Sequence, residues 1–159
     1  MINSGYREEQ SMRQWWLWAL LLMIASIAVY VFIAQILYGQ SVGDNPMPDY
    51  ATYLFLIFSY ALILLFLKLK LVTEIDSDGI RFRYIPFLKK SYSWDEIESV
   101  RVVKYGFVGY GIRYSFKYGT VYNTSGNRGL AVNLVNGKRF LIGTQNPEEV
   151  DSFLKSLRR

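Results

Sequence analysis

A long uncharged run of apolar residues begins close to the N-terminus. It extends from Trp15 to Leu37, and its 23 residues exceed the ~20 that an α-helix needs to cross a ~30 Å hydrocarbon layer. A cleaved signal peptide has a shorter apolar region of roughly 7–15 residues behind a basic start, whereas here two Arg are balanced by two Glu ahead of the run. A buried core helix is the other alternative, but few core helices are this long. The pattern predicts a first transmembrane helix at residues 15–37.

A second uncharged run follows after a short polar connection. It extends from Tyr50 to Leu67, and the side chains of Lys68 and Lys70 can snorkel towards the lipid headgroups and so lengthen it. The pattern predicts a second transmembrane helix at residues 50–70, with an extracytoplasmic loop at 38–49.

Aromatic and basic residues mark the ends of both runs. Trp and Tyr prefer the membrane–water interface, and Lys and Arg accumulate on the cytoplasmic side. Arg7 and Arg13 precede the first run, whereas the loop at 38–49 has neither Lys nor Arg. We therefore expect a multi-pass protein of the inner (cytoplasmic) membrane, with both termini and the N-terminal segment 1–14 in the cytoplasm. The expected membrane-interface anchors are Trp15, Trp16, Trp18, Tyr50, Lys68 and Lys70.

From residue 71 onward, short stretches alternate between apolar and polar residues. The turn dipeptides Asp78-Gly79 and Asn136-Gly137 each lie between two such stretches and predict tight hairpins. In all, the pattern predicts about seven antiparallel strands. The most regular alternation predicts one buried strand face, formed by Ile112, Tyr114, Phe116 and Tyr118.

The C-terminal residues predict a helix. Asn146 suits the N-cap position and Pro147 the first helical position. The apolar residues that follow have the spacing of one helix face, which should close over the sheet: Val150, Phe153, Leu154 and Leu157.

Three segments carry a resemblance to a known family: SYSWDEIESV, GYGIRYSF and GLAVNLVNGKRFLIGTQNPEEVDSFL. They resemble the bacterial pleckstrin-homology-like (PH-like) domains that follow one or two membrane spans in small bacterial proteins. The resemblance covers residues 71–159 and is most specific from Gly137 to Leu154. It implies a mainly β PH-like barrel or sandwich of about seven antiparallel strands with a C-terminal capping α-helix. It also implies a cytoplasmic binding or scaffolding module, and it brings no catalytic residues to this chain.

The residue types present restrict the chemistry that is available. The chain has no Cys and no His, which excludes cysteine nucleophiles, disulfides, thiolate or imidazole metal ligands and Ser-His-Asp relays. The glycines of KYGFVGYGIR lack the Lys-Ser/Thr of a phosphate-binding loop, and the acidic pairs lie at turns and at a helix start. We expect no catalytic residues, no cofactor, no metal, no nucleic acid and no small-molecule substrate.

Charge singles out one candidate surface, and exposed apolar residues single out another. The net charge is +5, and residues 71–159 hold 14 Lys and Arg against 9 Asp and Glu. The possible lipid-facing basic residues are Arg81, Arg83, Arg113 and Lys117, for which an ordinary solvated sheet face is the favoured alternative. The possible partner-contact loop consists of Phe107, Val108 and Tyr110.

The sequence as a whole favours a non-enzymatic integral membrane protein. Its PH-like domain is expected to bind a protein partner or to self-associate. Two alternatives remain open, an electrostatic sensor of anionic membrane lipids and an accessory subunit of a membrane transport complex.

Overall fold

The computed structural model describes residues 5–106 and 109–157 and separates into two compact units. The helical unit comprises residues 13–68. The sheet unit combines the N-terminal residues up to Met12 with the chain from Leu69 onward. The sheet unit is therefore discontinuous in sequence, because the helical unit is inserted into it.

Two long apolar helices form the helical unit. Helix α1, Trp15–Phe32, continues into a π-helical segment, Ile33–Leu37, and helix α2 covers Asp49–Lys68. Mean hydropathy reaches 2.6 over Trp15–Leu37 and 2.1 over α2, and only 22% and 11% of the most apolar stretch of each is buried. Both helices are thus long and apolar enough to cross a membrane, and most of their apolar side chains are exposed, unlike those of a core helix. Helix α2 ends at Lys68, so the predicted extension to residue 70 does not form.

Small and polar side chains lie where α1 and α2 pack against each other. Ala28 of α1 and Thr52 of α2 are fully buried, and Ser59 is nearly so while its hydroxyl donates to the Phe55 carbonyl at 2.7 Å. The rings of Phe32 and Tyr53 meet edge to face at 5.5 Å. Small residues allow the two backbones to approach closely, which is how apolar helices pair where lipid tails compete for the same surface.

Four antiparallel strands form the first sheet, in the order β1-β2-β3-β4. The hairpin at Asp78-Gly79 joins β2 and β3, which confirms that prediction. The sequence pattern did not predict β1, and it placed Lys70 in a helix, whereas Lys70 is the first residue of β2. The bounds are β1 Tyr6–Ser11, β2 Lys70–Ile75, β3 Gly79–Ile85 and β4 Leu88–Ser93.

Five strands form the second sheet, in the order β5-β8-β9-β7-β6. The turn at Asn136-Gly137 joins β8 and β9 as predicted, and helix α3, Pro147–Leu157, follows β9. The strand bounds are β5 Ile97–Lys104, β6 Gly111–Ser115, β7 Gly119–Asn123, β8 Arg128–Leu134 and β9 Arg139–Gly143.

Two predictions about the strands are wrong. The pairing is not antiparallel throughout, because β7 runs parallel to β9. The expected buried face of residues 112–118 is also largely exposed, since Tyr114 is 71% and Phe116 90% exposed. The strand β6 ends at Ser115, so the alternation does not continue through Phe116, and no described element covers the rings of Tyr114 and Phe116. Tyr118, beyond the strand, is half-buried against the core of the second sheet.

Aromatic contacts join the two sheets in the core of the sheet unit. Phe82 of β3 contacts the rings of Tyr122 and Phe140 at 4.8 and 5.5 Å, and Tyr92 of β4 stacks on Phe140 at 4.8 Å. Helix α3 buries Val150 completely. The sheets therefore pack face to face. The predicted apolar face of α3 is confirmed in part, because Val150 and Leu154 are buried, Phe153 is half-buried and Leu157 is exposed.

Candidate binding groove

A groove of about 410 Å³ lies between strand β4 of the first sheet and strands β6 and β7 of the second. Both flanking edges are open, because among the described strands β4 pairs only with β3 and β6 only with β7. Turn residues between β8 and β9 close one side of the groove. Its lining combines cations with aromatic rings, contributed by Lys90, Lys138, Arg139, Tyr92, Tyr114, Tyr122 and Phe140.

The register of the strands explains why these side chains converge. Lys90 lies opposite Phe82 in the β3–β4 pairing. Its side chain is therefore on the same inner face of the first sheet as Phe82, even though β4 is an edge strand. The parallel pair Thr120–Phe140 sets β7 beside β9, and this brings Tyr122 and Arg139 to the same region. The groove therefore depends on the β7–β9 pairing.

Lys90 is fixed by its contact with Tyr122. Its Nζ donates to the Tyr122 hydroxyl at 3.0 Å and lies 5.4 Å from the centre of that ring. This hydrogen bond raises the pKa of the Lys90 ammonium above its ordinary value. Lys90 is therefore charged throughout the physiological pH range.

Arg139 and Lys138 complete a positive groove. The guanidinium of Arg139 donates from Nη2 to the Phe116 carbonyl at 3.0 Å, while Lys138 is exposed at the β8–β9 turn. None of the described residues that line the groove is acidic. Clustered cations with no lining carboxylate favour an anionic ligand.

Exposed aromatic rings extend the groove along β6. The rings of Tyr114 and Phe116 meet edge to face at 5.8 Å, although both are largely exposed. Exposed aromatic residues beside cations are typical of protein-binding surfaces, where Tyr, Phe and Arg are enriched.

Two of the four predicted lipid-facing residues are engaged in ion pairs. Arg83 contacts the Glu74 carboxylate at 3.2 Å, and Arg81 contacts both Asp76 and Glu74. Arg7 of β1 joins the same network through Glu74 at 3.5 Å. The outer face of the first sheet is therefore an ion-pair network with its positive charge partly neutralised.

The other two predicted basic residues lie on the second sheet, apart from that network. Arg113 of β6 donates from Nε to the Tyr110 carbonyl at 3.1 Å, and Lys117, in the β6–β7 turn, lies 5.2 Å from the centre of the Tyr118 ring. The structure thus places the four residues in two separate groups.

In the predicted partner-contact loop, only Tyr110 can be described, and it is half-buried. Phe107 and Val108 lie outside the described residues.

Most of the predicted interface anchors lie at helix ends. Trp15 is 80% exposed and Trp16 47% exposed in the first turn of α1, Trp18 follows them, and Tyr50 is 69% exposed at the start of α2. Lys68 ends α2. Lys70 differs, because it lies in β2 and its Nζ is 2.6 Å from Glu9 Oε1.

A second cleft, of about 510 Å³, has a different character. It lies between β5 and α3 and is lined by Trp94, Ile97 and Leu154, with Glu98 as an acidic residue and no cation among its described lining. Unlike the groove beside β6, it has no clustered cations among its described lining residues that would select a charged ligand. The groove beside β6 is the stronger candidate for binding.

Sequence reasoning did not identify the groove. The dipeptides Lys89-Lys90 and Lys138-Arg139 were visible, but nothing local indicated that they converge with Tyr92 and Tyr122. Within the described ranges no group of three or more acidic, His or Cys residues is arranged to hold a metal ion.

Comparison with known proteins places the chain in one family. No curated protein matches the sequence. One family model matches residues 3–157, which is nearly the whole length and includes both helices and the sheet unit. The chain therefore belongs to DUF6141, a family of unknown function.

Proposed function

We propose that this protein is a non-enzymatic membrane-anchored module that holds a protein partner at the cytoplasmic side of the inner membrane. The observation that carries the proposal is the positive, aromatic groove between the open edges of β4 and β6. The rest of the molecule supports it by supplying an anchor and a rigid frame.

The strand order supports assignment of the sheet unit as a PH-like module. Strands β1 to β4 are consecutive neighbours, and β5, β8 and β9 are neighbours in the second sheet, followed by α3. Without the β6–β7 hairpin, seven antiparallel strands and a terminal helix remain. This is the number and order expected of a PH-like domain. The helical unit is then an insertion between its first two strands, and β6–β7 is an added hairpin that builds the groove.

The two apolar helices support the anchor. Their lengths match the ~30 Å hydrocarbon layer, and their apolar side chains are mostly exposed. Arg13 precedes α1 and Lys68 ends α2, whereas the connection between the helices contains only acidic charges, Asp44 and Asp49. By the positive-inside rule the sheet unit lies in the cytoplasm.

The chemistry of the groove identifies the kind of partner segment. Open strand edges present unpaired backbone groups to which an extended segment can add, while neighbouring pockets select its side chains. Lys90, Lys138 and Arg139 then favour a segment rich in Asp and Glu. We therefore assign an extended acidic segment of a second protein as the ligand.

Photo-cross-linking in cells tests this proposal. A photoreactive amino acid at position 114 or 116 of the full chain should yield a discrete adduct, whereas the same group at Ser152, exposed on α3, should not. The charge reversals Lys138→Glu and Arg139→Glu should abolish the adduct. Persistence of the adduct in these variants, or equal yield at Ser152, would contradict the proposal. An adduct of twice the mass of the chain would instead indicate self-association.

A further inference from the structure

Two tyrosines lie well inside the apolar helices, although tyrosine prefers the membrane–water interface. Tyr30 precedes Leu37, the end of the first helical run, and Tyr60 precedes Lys68, the end of α2, by about 10–12 Å along the helix axes. Both side chains are exposed, Tyr30 by 63% and Tyr60 by 54%. In the membrane that the helices are proposed to cross, these two rings therefore face the hydrocarbon layer.

The hydroxyls of these two tyrosines have no partner in the described part of the chain. No hydrogen bond among the described residues engages either of them. The hydroxyls of two serines in the same helices differ, because Ser26 donates to the Leu22 carbonyl at 2.8 Å and Ser59 donates within α2. Hydrocarbon offers no hydrogen-bond acceptor, so an unpaired hydroxyl there favours any contact that supplies one.

Both tyrosines line one shallow groove of about 470 Å³ along the helical unit. Phe32, near the end of α1, meets Tyr53, near the start of α2, whereas Tyr60 lies beside the middle of α1, so the two helices are antiparallel. Helical side chains lean towards the N-terminus of their own helix, and the two tyrosines therefore lean towards the same level. We call the following lining residues the tyrosine face: Ala25, Ser26, Val29, Tyr30 and Tyr60.

The tyrosine face lies at the middle of the first apolar run. Ser26 is midway between Trp15 and Leu37, about 16 Å along the axis from either end. The proton of its hydroxyl is donated to Leu22, but the oxygen can still accept a hydrogen bond. A tyrosine hydroxyl can both donate and accept. The face therefore presents donors and acceptors together at one depth.

This depth decides which occupant fits the tyrosine face. Phospholipid headgroups lie at the surface of the hydrocarbon layer, about 15 Å from its middle, and acyl chains carry no hydrogen-bonding atoms. A second copy in the same orientation brings Ser26 and both tyrosines to the same level, because a two-fold axis along the membrane normal leaves depth unchanged. The small side chains of Ala25 and Ser26 permit close approach of helices. The face is thus complementary to its own copy.

We propose that the tyrosine face joins two copies of this protein side by side in the membrane, with Tyr30 and Tyr60 of each copy donating hydrogen bonds to hydroxyl oxygens of the other. The proposal rests on the proposed membrane anchoring but not on the ligand of the groove beside β6. A dimer presents two such grooves, so a partner with two acidic segments binds the second groove at a raised effective concentration.

Single cysteines test the contact, because the chain has no native cysteine. Val29→Cys places the thiol in the tyrosine face. Ile27→Cys is the matched control, since Ile27 is 48% exposed at nearly the same depth but does not line the groove. In proteoliposomes of the purified full-length protein, a lipid-soluble copper oxidant should link Val29→Cys into a disulfide dimer and leave Ile27→Cys monomeric. Equal linking of the two variants would indicate random collision and overturn the proposal.

Removal of single hydroxyls separates the proposed hydrogen bonds from helix packing alone. Tyr30→Phe and Tyr60→Phe should each lower the dimerisation constant about three- to tenfold, as expected for a hydrogen bond between helices in a membrane. Tyr53→Phe is the matched control, because this exposed ring lies outside the groove, and it should leave the constant unchanged. Energy transfer between copies labelled at Ser152→Cys, over a series of lipid-to-protein ratios, measures the constant. Equal constants for all three variants would overturn the proposal.

Two further outcomes would also overturn it. A photoreactive amino acid at position 29 that yields an adduct with a different protein in cells, while the purified protein stays monomeric, would assign the tyrosine face to that protein. A chain that is monomeric in both settings would show that the hydroxyls face lipid. Resistance to carbonate extraction reports the anchor, and cross-linking at residue 114 reports the groove. Failure of the dimer is thereby distinguishable from failure of either.

Discussion

The hydroxyl of Thr144 donates a hydrogen bond of 2.6 Å to the carboxylate of Glu8, across 136 residues of chain. Glu8 is buried and also accepts bonds from the Tyr6 hydroxyl and the Gln145 backbone N–H, each at 2.7 Å. The strand that precedes the first apolar helix is thus tied to the end of β9, next to α3. In sequence, the helical unit is therefore inserted between two strands of one folded sheet unit.

Glu8→Ala should destabilise the sheet unit strongly. Three donors would lose their acceptor in a buried site, and each unsatisfied group costs about 1–3 kcal/mol. A loss of about 3 kcal/mol lowers the melting temperature of a domain of this size by more than ~10 °C. Thermal unfolding of the full-length protein in detergent, followed by circular dichroism of the β-sheet, measures this.

Glu9→Ala is the matched control for Glu8→Ala. Glu9 is the next residue of β1, but it faces outward and is paired only with exposed partners. Exposed ion pairs contribute little to stability, so the melting temperature of the Glu9→Ala variant should stay close to that of the unmodified protein. Equal losses in the two variants would show that the buried carboxylate is not what holds β1.

Stability should fall at alkaline pH through Tyr84. Burial raises the pKa of this hydroxyl from 10.0 to about 12. Between these values the unfolded chain loses the proton while the folded protein keeps it, so the stability present below pH 10 decreases as the pH rises towards 12. The urea midpoint of the sheet unit should therefore drop over this window.

Tyr84→Phe isolates the contribution of that hydroxyl. The variant lacks the hydrogen bond to the Asn123 carbonyl, which costs about 1 kcal/mol near neutral pH. Its urea midpoint should fall less between pH 10 and 12, since the remaining decline comes from groups that both proteins share. Parallel curves for the two proteins would argue against a buried, neutral Tyr84.

Gly119→Ala should be far more damaging than Gly137→Ala. Gly119 is the first residue of β7 and Gly137 lies in the β8–β9 turn, and both have positive φ, +71° and +81°, which costs a residue with a Cβ about 1–2 kcal/mol. At Gly137 a Cβ would meet nothing within 4 Å, but at Gly119 it would overlap the Arg139 carbonyl oxygen. Gly119→Ala must therefore push β7 away from β9, and its melting temperature should fall well below that of Gly137→Ala.

The same pair tests the groove, because the β7–β9 pairing builds it. Cross-linking from position 114 should be lost in Gly119→Ala and retained in Gly137→Ala. If Gly137→Ala also lost the adduct while remaining folded, the loss of cross-linking could not be attributed to the β7–β9 pairing. The prediction would then be wrong.

Single cysteines test the orientation in the membrane. Ser41→Cys lies between the two helices and should react with a membrane-impermeant maleimide in intact cells, whereas Ser152→Cys on α3 should react only after permeabilisation. Labelling of Ser152→Cys in intact cells would place the sheet unit outside and reverse the topology.

Short-range patterns predicted much of this protein. The two apolar runs, the turns at Asp78-Gly79 and Asn136-Gly137, and the start of α3 at Pro147 each depend on residues that are neighbours in the chain. For such features the local residue types decide the backbone conformation, because hydrophobic length, turn dihedral angles and the fixed φ of a proline at a helix start are properties of a few consecutive residues.

Only the tertiary structure decided the features on which binding depends. The segment Tyr6–Ser11 is mostly polar, and it forms a strand because its hydrogen-bond partners in β2 and at Thr144 lie far away in the chain, the nearest of them at Lys70. The parallel pairing of β7 with β9 leaves β6 at an edge and turns Tyr114 outward, although the same alternation would be buried in a central strand. Long-range pairing chooses which strands become edges, and no local pattern encodes that choice.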